Sequence, residues 1–128
     1  MLKSSYLYIN SRDELLRLDI SKIVFFEADG NYTNIILANK LKSVVSMNLS
    51  HMQKLLSEKL KEQASIFMRI GKKHIINHTY IYQINLPHQK LILSDGVNFT
   101  FQLEISKDAL KTLKDLYTNV NDNKSLNK

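Results

Sequence analysis

The amino-acid sequence predicts a mainly β fold carrying two helices. Apolar residues recur with period two in short runs separated by turn residues, the pattern of half-buried strands. Only two segments change to helical spacing, and each begins with a serine able to cap a helix. With 128 residues, 44% of them hydrophobic, the chain is long enough for one domain burying roughly two-thirds of its unfolded surface. We place that single domain at 1–117 and a polar, flexible tail at 118–128.

Each element follows from its residues. Tyr6 to Ile9 and Leu15 to Leu18 form a strand pair joined through Asn10-Ser11-Arg12-Asp13. Ile23 to Ala28 is an apolar run, the mark of a strand covered on both faces. Asp29-Gly30-Asn31 reads as a tight turn, because these residues tolerate positive φ. Strands return at Tyr32 to Ala38 and, after Asn39-Lys40, at Leu41 to Met47. Further strands are expected at Ile81 to Ile84, Lys90 to Leu93 and Phe99 to Leu103. The last alternates strictly, with Phe99, Phe101 and Leu103 on one face.

The first helix starts from Ser50-His51-Met52-Gln53, which fits a capping box, and buries Met52, Leu55, Leu56 and Leu60. The second is capped by Ser106 and runs to about Tyr117, with Ala109, Leu110, Leu113, Leu116 and Tyr117 inward.

Composition narrows the function. No cysteine means no disulfide framework and no thiolate chemistry. No apolar run reaches the ~18 residues of a membrane helix and no secretory h-region follows Met1, so a cytoplasmic protein without membrane contact is expected. The three glycines stand apart, which excludes a phosphate loop; His74 and His78 lack the zincin glutamate; Glu27 and Asp29 share a strand face at i, i+2, a pair that could suit a divalent cation but reads better as solvated strand-end carboxylates. We therefore expect no enzyme, no cofactor and no metal.

Charge points toward an anionic partner. The formal net charge is +6 and the pI near 9.5. From Gln63 to Ser94 there is no acidic residue, while Arg69, Lys72, Lys73 and Lys90 all fall there.

Three pieces in register resemble the LytTR family of bacterial DNA-binding domains. They are Ile23-Val24-Phe25-Phe26-Glu27-Ala28-Asp29-Gly30-Asn31-Tyr32, then Phe67-Met68-Arg69-Ile70-Gly71-Lys72-Lys73-His74-Ile75-Ile76-Asn77, and Leu91 to Gly96 followed by Ile105-Ser106-Lys107-Asp108-Ala109-Leu110. The second is similar to the family's F-x-R-(I/C)-H-(R/N)-S-(Y/F)-(I/V)-V-N. The resemblance implies an elongated arrangement of small antiparallel β-sheets that binds double-stranded DNA through loops. It further implies a transcription regulator acting at promoters on paired direct repeats, with a homodimer on DNA as one arrangement, either standing alone or as part of a longer regulator.

Carried over residue by residue, the resemblance places DNA contacts at Thr33, Asn34, Arg69, Lys72, Lys73 and Lys107. Asparagine can bond adenine bidentately, threonine's methyl can meet thymine's, and lysine supplies phosphate charge or a bond to guanine. Arg69 has a second reading as a structural donor, and Asn77 reads as a turn former. The sequence departs from the family at Gly71, usually His, and at Asp108, usually Arg. Those departures support an alternative: a protein-interaction module that assists or antagonises another regulator. RNA binding would require exposed aromatic platforms, for which Tyr32 is the obvious candidate.

Overall fold

The computed structural model describes residues 5–125, with side chains described as far as Thr118. It is β-rich, with ten strands in three antiparallel sheets and two α-helices among the described residues. The chain divides into two compact units, one comprising residues up to Arg69 with Lys73–Thr79, the other Ile70–Lys72 with everything from Tyr80 onward.

In the first unit, β1 (Tyr6–Asn10) and β2 (Leu15–Asp19) form a hairpin in which Leu7 faces Leu18 and Ile9 faces Leu16. A five-stranded sheet follows, built from β3 (Ile23–Asp29), β4 (Tyr32–Leu37), β5 (Lys42–Val45), β6 (Phe67–Ile70) and β7 (His74–Asn77). Its spatial order is β5-β4-β3-β7-β6. Helix α1 (Leu49–Leu60) closes one side, and Met52 and Leu56 bury beside Leu7, Ile23, Phe26, Ile35 and Ile75 in one apolar cluster. Phe26 meets Phe67 edge-on at 5.4 Å.

Two details depart from expectation. Asn48, not Ser50, caps α1, its side-chain oxygen accepting from the His51 N–H at 2.8 Å. Ser50 and Gln53 instead accept from the Arg69 guanidinium, at 3.4 and 3.2 Å. Asparagine caps as well as serine does, and starting the helix at Leu49 adds one more buried side chain.

Strands β6 and β7 carry no period-two signature. All four residues of β7 are buried, including His74 and Asn77. Polar residues are tolerated there because each has a partner: His74 bonds Glu27, and Asn77 bonds the Ile23 backbone.

The second unit holds a three-stranded sheet, β8 (Ile81–Asn85), β9 (Lys90–Ser94) and β10 (Thr100–Glu104), in the order β10-β9-β8. Leu91, Leu93 and Leu103 are buried, and the Phe99 ring packs edge-on to Tyr80 at 5.1 Å. The Asp95 carboxylate organises the β9–β10 turn by accepting from the N–H groups of Val97, Asn98 and Phe99, which lowers its pKa to about 2.

Helix α2 (Lys107–Ser125) begins as expected, with the Ser106 hydroxyl accepting from Ala109 N–H at 3.2 Å. It continues past Tyr117 to Ser125, through the stretch read as a flexible tail. Asparagine weakens a helix without forbidding it. Residues 126–128 of that tail lie outside the described part.

Leu116 and Tyr117, expected inward, are 51% and 36% exposed. Leu110 and Leu113 on the same helix are buried.

Candidate nucleic-acid interface

Lys72 and Lys73 are exposed on the turn Gly71–Lys73 between β6 and β7. Gly71 starts that turn at φ +62°, a left-handed conformation that suits glycine and accounts for its place here. The Lys73 carbonyl accepts from Ala28 N–H at 2.8 Å, and His74 stands opposite Glu27. Lys73 is thereby held at the same end of the five-stranded sheet as the β3–β4 turn, Gly30-Asn31. Asn31 is exposed and Tyr32 is 51% exposed.

Thr33 and Asn34, expected as DNA contacts, lie inside β4, the strand expected from Tyr32. Thr33 is fully buried and its hydroxyl donates to the Met47 carbonyl at 2.8 Å. Asn34 is 6% exposed. The turn is as tight as its residues imply: Asp29 already pairs with Tyr32, so pairing continues straight into Thr33 and Asn34. The exposed neighbours, Asn31 and Tyr32, are the positions that the sequence reading assigned to the turn and to a platform.

Arg69 is half-buried and ties β6 to α1 through the side chains of Ser50 and Gln53. Lys90 is committed as well, 2.9 Å from Glu104. Of the cations in the acid-free window, Lys72 and Lys73 are the exposed ones.

In the second unit, Lys107 opens α2 and is exposed beside exposed Asp108. The segment before it is pinned to the β8–β9 turn, Ile105 N–H donating to Gln89 O at 3.1 Å. That pinning brings His88 to the same end of the three-stranded sheet. Asn85 Oδ1 accepts from His88 N–H at 3.1 Å and lies 3.2 Å from its Nδ1.

His74 is a poor phosphate ligand. Burial is the main influence on it and lowers its pKa below 6.5, against the opposing hydrogen bond and charge of Glu27 and with a smaller push from Lys73. Its imidazole is neutral at pH 7.

The fold has a solved counterpart. The LytTr DNA-binding domain of a Bacillus cereus response regulator matches over 90% of this chain and 97% of its own, with a TM-score of 0.60 at 20% identity. At that identity the likeness speaks for the fold. The family model of the LytTr DNA-binding domain matches residues 13–118. The molecule is of the class of DNA-binding, transcription-regulatory domains. The chain belongs to the LytTr DNA-binding domain family.

Two relatives are similar over 106 residues, or 82% of this chain: the heme-containing CO-sensing transcriptional regulators RcoM 1 and RcoM 2 of Paraburkholderia xenovorans strain LB400, 24% and 23% identical. The chain spans 37% of the length of each. No helix among the described residues is long and apolar enough to cross a membrane.

Proposed function

We propose that this domain binds promoter DNA sequence-specifically through its loops and regulates transcription. The observation that carries this reading is exposed Lys73, preceded in the chain by exposed Lys72 in a 32-residue stretch without a carboxylate, and held at the same sheet end as exposed Asn31 and Tyr32. Lys72, Lys73 and Lys107 supply phosphate contacts, which give most of the affinity. Asn31 takes the base-reading role in place of Asn34, since its amide faces solvent and suits adenine. Arg69 acts by holding β6 against α1 rather than by touching DNA. Binding at paired direct repeats, as a homodimer on DNA, in the cytoplasm, completes the proposal.

Selection of bound duplexes from a random pool tests it. Enrichment of one motif, repeated at fixed spacing, supports the reading; no enrichment removes it.

Exposed Asp108 favours the second reading, a module that engages another regulator instead of DNA. An acidic side chain beside Lys107 repels phosphate locally. Retention of a partner protein with no duplex bound by the chain at any salt concentration would select that reading.

A further inference from the structure

We infer that His74, Glu27 and Asn34 form a site for one divalent transition-metal ion of the zinc type. The three lie in one row across the five-stranded sheet: Glu27 on β3 pairs with His74 on β7 and with Asn34 on β4. Directly opposed residues of antiparallel strands project from the same face with Cβ atoms about 5 Å apart, so the imidazole and the amide flank the carboxylate.

The spacing suits coordination. His74 Nε2 lies 3.1 Å from Glu27 Oε2. Ligand atoms about 2.1 Å from one zinc ion sit about 3.0–3.4 Å apart at octahedral to tetrahedral angles. Imidazole nitrogen with carboxylate oxygen is a donor set typical of such ions.

An independent observation comes from Asn34. Its Oδ1 is buried with no hydrogen-bond partner among the described residues, in a residue 6% exposed. Buried polar atoms almost always have partners, and one without asks for an explanation. Because Asn34 pairs directly with Glu27, a cation held by the Glu27 carboxylate would give this oxygen a partner as a third ligand, with water completing the shell. The Glu27 side chain is 41% exposed, which leaves an entry path.

The test is calorimetric titration of the whole EDTA-stripped chain with ZnCl2, with melting curves alongside. The expected result is one ion per chain and a raised melting temperature. His74→Phe and Glu27→Gln each weaken binding at least about tenfold. Asn34→Asp, which adds a charged ligand, tightens it. His88→Gln, changing an exposed histidine of the other unit, leaves it intact. Absence of zinc uptake by the unaltered chain overturns the site, as does uptake that survives His74→Phe or vanishes in His88→Gln. Should His74→Phe fail to fold, Glu27→Gln decides, because it keeps the shape and removes the charge: unchanged affinity overturns the site.

Discussion

Asn77 donates its side-chain N–H to the Ile23 carbonyl at 2.8 Å while its Oδ1 accepts from both the N–H and the hydroxyl of Thr79, at 3.0 and 2.6 Å. The residue is fully buried, so this fork joins β7 to the start of β3 where the β3–β4 register shifts between Ile23 and Phe25. Asn77→Ala is expected to cost about 2–4 kcal/mol, because it strands buried backbone groups as well as removing their partner. Urea unfolding measures it; a loss under about 0.5 kcal/mol would show that water replaces the amide.

Phosphate contacts predict salt behaviour. Log affinity for duplex DNA falls linearly with log salt, and Lys72→Ala, Lys73→Ala and Lys107→Ala each shallow the slope by about one unit. All three weaken specific and random duplexes alike. Arg69→Ala is expected to leave the slope unchanged and lower stability instead, through loss of its bonds to Ser50 and Gln53. Gel-shift titrations from low to physiological salt separate the two behaviours.

Base reading is assigned by exposure. Asn31→Ala is expected to shrink the preference for the selected site over random duplex by about 1–3 kcal/mol, while Asn34→Val leaves that ratio unchanged. In EDTA, Asn34→Val is further expected to be neutral or stabilising, since it removes a buried oxygen lacking a partner among the described residues. A collapse of specificity in Asn34→Val would return the reading role to β4.

Acid is expected to weaken the metal-free fold through His74. Its native pKa lies below the unfolded value of 6.5, chiefly because of burial. Between the two values the unfolded chain binds more protons, so stability drops as pH falls through about 6.5 toward the native pKa and is indifferent to this group above 6.5. Glu27 limits the drop and Lys73 adds to it. Melting curves from pH 7.5 to 5 should show this descent in the unaltered chain and a flatter profile in His74→Phe.

Much of the architecture was legible in local pattern. Strands β3, β4 and β10, the Gly30-Asn31 turn, the Ser106 cap and the Met52–Leu56 stripe all follow from spacing and turn chemistry, which act within a few residues. Strands β6 and β7 were not legible, since Arg69, His74 and Asn77 are polar residues whose burial is explained only by partners 16 to 54 positions away. The site shows the same division. An acid-free window and paired lysines are visible along the chain, but which cations remain exposed is not.

The sequence by itself determined a β-rich chain with two helices, a family, and a cationic segment suited to an anionic partner. Tertiary structure alone decided that Thr33 and Asn34 are buried, that Arg69 and Lys90 are engaged by Gln53 and Glu104, and that Lys72 and Lys73 face solvent. Periodicity reports how neighbours along the chain share a face, whereas burial and pairing depend on strands brought together from distant positions, and those set which groups are left for a ligand.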